Sequence, residues 1–235
     1  MSILWVLLPL MNKSKQFQLP LPFWYPYDKK ASPFYEITYV HQIISFFYTV
    51  IAVYNIDMLT SALMVFIGAQ CDILCDDLRN LHGNRSNIFS ENLKKSIKHH
   101  QEILIFAKSC NKYFSFILLG QFLASSVILS FTLYLLALDH NMDVRFFVHV
   151  VLVAFYMIQI FTYCWFGNEV EIKSNQIPHS IFESDWTRHS LKIKKDMMML
   201  IVKSQKPIKL SALNLFYLSL DVYIKVKFIN WSNLH

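Results

Sequence analysis

The apolar run from Tyr113 to Leu138 most strongly constrains the fold, because its 26 residues include no Asp, Glu, Lys, Arg or His. A helix rises ~1.5 Å per residue, so ~20 residues cross a hydrocarbon core of ~30 Å. The run therefore predicts a membrane-spanning helix. Only the seven residues 139–145 separate it from a second apolar run, Phe146 to Phe166. We expect these two helices to form an antiparallel hairpin.

A third apolar run, Ile37 to Gln70, contains Asp57 as its only Asp, Glu, Lys or Arg. Its 34 residues would form a helix of about 51 Å, so we expect it to tilt or to extend beyond the bilayer. A carboxylate within such a run costs about 2.5–3.5 kcal/mol on insertion scales, which predicts that Asp57 faces protein or water. A helix contact and a contact with a bound ligand would both meet that requirement.

The composition also indicates a membrane protein. Only 16% of the residues are charged and 54% are hydrophobic, whereas a soluble domain has about 25% charged residues. The net charge of +6 comes from connectors: 79–98 and 173–209 contain five and eight Lys or Arg, against four in 12–36 and one in 139–145. The positive-inside rule places the first two in the cytosol and the other two outside. This placement accounts for the basic residues better than nucleic-acid binding does.

Sequence motifs argue against several other functions. The chain has no Gly-rich phosphate loop, nucleophile elbow or His-Glu-x-x-His motif, so we predict neither an enzyme nor a cofactor. The adjacent His99 and His100 would point about 100° apart on a helix, which disfavours a shared metal ion. A rhodopsin-like receptor lacks support because there is no Asp-Arg-Tyr, and a transporter lacks support because 113–138 and 146–166 contain no Pro.

The second half of the chain contains one amphipathic segment, Ser190 to Lys206. Ile193, Met197, Leu200 and Ile201 share one face of it, and Pro207 should end the helix. The last apolar run, Leu210 to Leu220, is too short to span a membrane before Asp221 and Lys225 interrupt it.

Several ordered motifs resemble the insect odorant receptor family. Leu19 to Asp28, reading Leu-Pro-Leu-Pro-Phe-Trp-Tyr-Pro-Tyr-Asp, is similar to that family's second extracellular loop. Tyr163 to Glu169, reading Tyr-Cys-Trp-Phe-Gly-Asn-Glu, is similar to the end of its sixth helix, and Ser204 to Pro207 to part of its seventh. The resemblance covers nearly everything from Ile3 to Val226.

The resemblance implies an all-α membrane protein that forms part of a seven-helix bundle with a cytosolic N-terminus, with about helices four to seven present. The implied segments are a remnant of the third transmembrane helix (1–11), an extracellular loop (12–36), a transmembrane helix (37–75), a cytosolic loop (76–100), a transmembrane helix (101–138), an extracellular loop (139–145), a transmembrane helix (146–168), a cytosolic loop with an amphipathic helix (169–209), and a truncated pore helix with a divergent tail (210–235).

The resemblance further implies a subunit of a ligand-gated cation channel. Such a subunit binds volatile apolar odorants and forms a hetero-tetramer with a shared co-receptor. It lies, as a multi-pass protein, in the plasma membrane of olfactory sensory neurons. Two alternatives stay open: a non-functional truncated isoform or gene-model fragment of such a receptor, and a related gustatory receptor.

Three sets of candidate residues follow from the family's organisation. Odorants bind between helices in the outer half of the membrane, where the candidates are Tyr39, Ile43, Phe46, Phe47, Val50, Ser130, Phe131, Tyr134, Phe147, Val151 and Ala154. The last helix lines the pore, where the candidates are Leu215, Leu218, Val222 and Lys225. Structural or assembly roles are expected of Asp57, Trp165, Gly167, Glu169 and Pro207.

The chain departs from the family's pattern at both ends. Helices one, two and most of three have no counterpart, so we expect part of the family's odorant pocket to be missing. After Val226 the sequence diverges from the aromatic and serine-rich stretch that completes the family's pore helix. We therefore expect a partial gene model.

Overall fold

The computed structural model describes residues 19, 24–26, 33–81, 86–138, 144–184, 189–213, 215–221 and 223–224. These residues form four α-helices, then a two-stranded antiparallel hairpin, and then helical turns at 220–221 and 223–224. The elements are α1 (Phe34–Arg79), α2 (Ser86–Leu138), α3 (Val144–Glu183), α4 (Leu191–Ser204), β1 (Ser211–Ala212) and β2 (Phe216–Tyr217). The remnant helix predicted at 1–11 lies outside the described residues.

Helices α1, α2 and α3 are much longer than a bilayer is thick. They have 46, 53 and 40 residues, which correspond to lengths of about 69, 80 and 60 Å. Each is long and apolar enough to cross a membrane. The three apolar runs are therefore parts of long helices, as predicted, and each helix extends well past its apolar run on at least one side.

The loop predicted at 76–100, and the part of 169–209 predicted as loop before its amphipathic helix, are largely helical in the structure, which corrects those boundaries. Helix α1 continues to Arg79, α2 begins at Ser86, and α3 continues to Glu183. The cause is a buried face that the charged residues obscured in the sequence. On α1, for example, Cys71, Leu74 and Leu78 are all fully buried, and their spacing of three and four residues is that of one helix face.

The buried core lies toward one end of the three long helices. The largest fully buried side chains include Leu74 and Leu78 of α1, Phe89 of α2, Ile177 of α3 and Met197 of α4. Helix α4 buries the face that its sequence predicts, namely Ile193, Met197, Leu200 and Ile201. We call this end of the protein the packed end.

The opposite end of the long helices exposes large apolar side chains. Ile44, Tyr48, Phe131 and Phe147 are all more than half exposed there. In water such a surface would be unfavourable, whereas lipid or further helices cover it without cost. We call this the apolar end.

The chain after α4 forms a hairpin at 211–217, where the prediction of a truncated pore helix over 210–235 is wrong, and helical turns follow at 220–221 and 223–224. Ser211 pairs with Tyr217 and Ala212 with Phe216. Leu213 adopts φ 48°, a left-handed conformation that interrupts any helix. A short apolar run does not distinguish strand from helix by its pattern alone, which explains the error.

Candidate functional site

Asp57 joins α1 to α3 within the apolar region. The Tyr163 hydroxyl donates to Asp57 Oδ1 at 2.5 Å, and Gln159 Nε2 donates to Asp57 Oδ2 at 2.6 Å. Gln159 and Tyr163 are four residues apart on α3, so both side chains reach the same face. Each carboxylate oxygen thus has a donor, which offsets part of the cost of placing the charge away from water. This geometry provides the helix contact that was one of the two roles open for Asp57.

Ion pairs connect α1 and α3 at the packed end. Lys173 Nζ lies 2.6 Å from Asp72 Oδ2 and 3.7 Å from Glu169 Oε1. Further along, Arg79 Nε donates to Glu183 Oε2 at 2.7 Å. The last turns of α1 and α3 are therefore tied together at two levels. Glu169, predicted as a structural residue, belongs to the first of them.

A third ion pair connects α3 to the segment after α4. Lys209 Nζ lies 2.9 Å from Glu171 Oε1 and 5.5 Å from the centre of the Tyr217 ring. The hydrogen bond to Glu171 raises the pKa of Lys209 above its ordinary value. A raised pKa means that the contact is complete at neutral pH and is lost only as the pH rises through the alkaline pKa of this amine.

Hydrogen bonds fix the start of the hairpin to α2 and α3. Asn111 Oδ1 accepts the backbone N–H of Ser211 at 2.8 Å, and Asn111 Nδ2 donates to Ser211 Oγ at 3.3 Å. On the other side, the backbone N–H of Ile208 donates to Ser174 Oγ at 2.9 Å. The backbone N–H groups of Ile208 and Ser211, which follow α4, thus donate to side chains of the long helices.

Close packing fixes the rest of the hairpin. The rings of Phe122 and Phe216 are 5.0 Å apart, and Phe122 also contacts the Tyr163 ring at 6.2 Å. Leu218 lies so close to Gly167 of α3 that a Cβ on Gly167 would be 2.5 Å from the Leu218 Cβ. The hairpin is therefore in contact with the helix that carries the Asp57 network.

The predicted odorant residues lie at the apolar end, and most of them face outward. Tyr39, Ile43 and Phe46 are half-buried. The eight others are exposed: Phe47, Val50, Ser130, Phe131, Tyr134, Phe147, Val151 and Ala154.

Two recesses occur between α1 and α2, closer to the packed end, and none of the predicted odorant residues lines them. One is lined by Thr60, Met64, Cys110 and Phe114 among others. The other is lined by residues including Phe66, Gln70, His99 and Phe106. His99 Nε2 lies 2.9 Å from Gln70 Oε1 there, so His99 has an interhelical partner. The odorant-binding role of the predicted residues stays a prediction.

The predicted pore residues separate into two groups. Leu215 is 71% exposed, whereas Leu218 is 1% exposed and packs on Gly167. Of these two, Leu215 has the side chain that is free to face a pore. Val222 and Lys225 lie outside the described residues.

The other predicted structural residues occupy clear positions. The Trp165 ring lies 5.7 Å from that of Phe161 and is about half exposed. Gly167 is buried against Leu218. Pro207 is half-buried and follows the end of α4 at Ser204.

Comparison with known proteins places this arrangement in one family. The family model described as 7tm Odorant receptor matches residues 1–227. The chain belongs to the odorant receptor family. The resemblance seen in its motifs is thereby confirmed, and the family is one of receptors, not of enzymes.

Individual members of the odorant receptor family are similar at low identity. Odorant receptor 46a, isoform A, of Drosophila melanogaster is 24% identical over 200 residues, which cover 83% of this chain and 52% of that relative. Odorant receptor Or2 of Anopheles gambiae is 24% identical over 149 residues, which cover 62% and 38% respectively. This odorant receptor chain spans about half the length of the curated relatives it matches.

A solved structure shows the same fold. The insect olfactory receptor OR5 from Machilis hrabei, in complex with eugenol, superposes with a TM-score of 0.86 at 18% sequence identity. The match covers 99% of this chain and 61% of that one. The fold class predicted from the sequence, a partial bundle of an odorant receptor, is confirmed, and the chain is a membrane protein.

Gln159 is a structural residue of this odorant receptor that the sequence analysis missed. It is the single Gln in the apolar run from Phe146 to Phe166. A polar side chain at such a depth indicates an interhelical hydrogen bond. The sequence therefore indicates a buried partner for Gln159 as it does for Asp57.

Proposed function

We propose that this chain acts as an odorant-binding subunit of a ligand-gated cation channel, which it forms as a hetero-tetramer with a shared co-receptor. The subunit lies in the plasma membrane of olfactory sensory neurons, with the packed end in the cytosol and the apolar end in the outer half of the bilayer. The family match over residues 1–227 carries this proposal.

The division of the long helices into two ends supports the proposed placement. Arg79, Lys173 and Lys209 form ion pairs at the packed end, where water and salt reach their exposed surfaces. Tyr48 and Phe131, by contrast, are exposed and apolar, as lipid-facing or ligand-facing residues are. The excess of basic residues in 79–98 and 173–209 agrees with the packed end being cytosolic.

The apolar end supplies the chemistry that a volatile ligand requires. A small apolar odorant that buries about 250 Å² gains about 6 kcal/mol at about 25 cal/mol per Å². Association costs consume a large part of that gain, so the expected affinity is micromolar or weaker. Tyr39, Ile43 and Phe46, which are half-buried, provide the aromatic and aliphatic surface for such a site on α1.

Electrophysiology with the co-receptor tests the proposed function. The full chain and an insect co-receptor are expressed together in oocytes, and a panel of volatile alcohols, esters, ketones and amines is applied. We expect inward cation current from at least one odorant, beyond the current of oocytes that express the co-receptor alone. Surface-labelled chain that adds no response to any odorant would contradict the channel function.

A binding measurement separates the two parts of the proposal. The purified chain in lipid nanodiscs is titrated with the same panel, with empty nanodiscs as the blank for partitioning into lipid. Saturable binding without current would identify a chain that binds odorants but does not conduct, as expected of a truncated isoform. Absence of both binding and current would contradict the odorant-receptor activity as a whole.

A further inference from the structure

The amide of Gln159 has a fixed orientation within the apolar run of α3. Its Nε2 donates to Asp57 Oδ2 at 2.6 Å. A carboxylate accepts hydrogen bonds and does not donate them, so the nitrogen must face Asp57 and the carbonyl oxygen must face away. Asp57 is itself held by the Tyr163 hydroxyl at 2.5 Å. The hydrogen bonds from Tyr163 and Gln159 to Asp57 therefore fix the direction of the Gln159 carbonyl oxygen.

That oxygen needs a donor. Gln159 Oε1 is buried and has no hydrogen-bond partner among the described residues. A buried acceptor without a donor costs about 1–3 kcal/mol. The neighbouring carboxylate strengthens the acceptor, because an amide that donates to an anion carries more negative charge on its oxygen.

The position of this acceptor lies within the membrane span. Gln159 is 13 residues after Phe146 and 7 before Phe166, which places it about 20 Å and about 10 Å along the helix from the ends of the apolar run. The residues adjacent to it in sequence, Ile158 and Ile160, are apolar, and Ile160 is almost fully buried. A group that bonds Gln159 there must arrive on a molecule that itself partitions into an apolar environment.

We propose that the carbonyl oxygen of Gln159 is the hydrogen-bond acceptor of a ligand subsite on the side of the amide that faces away from Asp57, which selects small apolar molecules that carry an O–H or N–H donor. This inference rests on the proposed odorant binding and names the ligand class of a subsite deeper in the span than the predicted odorant residues, since Asp57 is 11 residues, or about 16 Å along α1, from Phe46. Asp57 and Tyr163 are positioning residues of the subsite, since they orient the amide and leave its oxygen for the ligand.

A second buried polar atom sets the limits of the subsite. His149 Nδ1 is also buried without a partner among the described residues. It lies ten residues before Gln159 on α3, or about 15 Å away along the helix. One small donor group does not reach both atoms, so the subsite includes Gln159 and excludes His149.

Matched ligand pairs test the proposal in nanodiscs that contain the full chain. Primary alcohols and amines of four to eight carbons are compared with the methyl ethers of the same alcohols, which keep the apolar body and lose the donor. For the wild type we expect alcohols or amines to bind about tenfold more tightly than ethers, as loss of one hydrogen bond to a buried acceptor implies. The alcohol and amine arms show which donor the subsite prefers.

Two substitutions remove the acceptor in different ways. Gln159→Lys keeps a donor to Asp57 and removes the carbonyl, whereas Gln159→Met keeps the side-chain length and leaves Asp57 held by Tyr163. We expect both variants to bind alcohols and ethers equally. Gln176→Lys on the exposed part of α3 and His149→Leu are the controls, and both should keep the wild-type preference.

Each outcome has a defined meaning. Equal binding of alcohols and ethers by the wild type, or an unchanged preference in a folded Gln159→Lys or Gln159→Met protein, overturns the subsite and leaves the proposed odorant binding intact. Loss of the preference in His149→Leu alone would also overturn it. Wild-type binding of none of the pairs contradicts the proposed odorant binding, and the subsite with it.

Discussion

A Cβ atom on Gly167 would lie 2.5 Å from the Cβ of Leu218 and 2.7 Å from its carbonyl oxygen. The second contact is with backbone, so no change of side-chain rotamer relieves it. Only a glycine at position 167 lets the segment after the hairpin approach α3 this closely.

Gly167→Ala should therefore displace the segment around Leu218 from α3. We expect a loss of about 1–3 kcal/mol in the free energy of unfolding, as overpacking of a closed contact implies. The backbone N–H of Leu218, which donates to the Leu210 carbonyl at 2.9 Å, should exchange with solvent faster. Resistance to SDS and amide hydrogen exchange measure the two effects.

Gly120→Ala is the matched control for that substitution. Gly120 lies within α2, and no heavy atom of the described residues is within 4 Å of the position of an added Cβ. An alanine there should be neutral or stabilise the helix by about 0.5–1 kcal/mol. Equal losses from Gly120→Ala and Gly167→Ala would contradict the close-contact explanation.

Charge density misled the sequence reading more than hydrophobicity did. The three long helices follow from long apolar runs, whereas Asp76 to Arg79 and Ser86 to His100 are predicted as loop. In both segments charged residues lie on the exposed face of a helix, while Leu78 and Phe89 are buried. Testing those segments for helical periodicity would have recovered the long helices.

The hairpin and the Asp57 network differ in how far the sequence could reveal them. The residue with the left-handed backbone is Leu213 and not a Gly or Asn, so the residue type at that position does not signal the turn. Asp57 was recognised as a buried carboxylate in need of a partner. Its partners Gln159 and Tyr163 are about a hundred residues away in sequence, and only the packing of α1 on α3 identifies them.

Tyr163→Phe removes one donor from Asp57 and leaves the ring contact with Phe122 in place. Because hydrogen bonds to charged groups contribute about 1.5–3 kcal/mol, we expect a loss of that size in unfolding free energy. In a cycle with Asp57→Asn, the two effects should couple by about 1 kcal/mol or more. Additive losses would show that the 2.5 Å contact does not contribute. Tyr54→Phe, on the exposed side of α1, should change nothing.

Lys173 lies between two carboxylates and should matter more than an exposed lysine does. Its ammonium contacts Asp72 at 2.6 Å and Glu169 at 3.7 Å, and its stem covers Gly68. We expect Lys173→Met to reduce stability by about 0.5–1 kcal/mol and to do so less at high salt. Lys98→Met is the control, because its pair with Glu102 at 3.8 Å is largely exposed. Equal effects of the two would rule out a special role for Lys173.

Tyr134 tests the predicted odorant site at the apolar end. Its side chain is 61% exposed, so Tyr134→Ala should leave surface expression intact. If the ring contacts ligand, the rank order of odorants should change by several-fold in half-maximal concentration, since aromatic rings supply much of the contact area in apolar sites. Dose–response curves across the odorant panel measure this, and unchanged curves would remove Tyr134 from the site.

Glycosylation mapping in intact cells tests the central claim, which is that the packed end is cytosolic and the apolar end lies in the membrane toward the outside. The sequence contains an acceptor, Asn84-Arg85-Ser86, between α1 and α2. It should remain unmodified, because the transferase acts on the lumenal side. Lys30→Asn creates an acceptor with Ala31 and Ser32 on the predicted outer side, and it should gain a glycan. A glycan on Asn84, with none at position 30, would contradict the account.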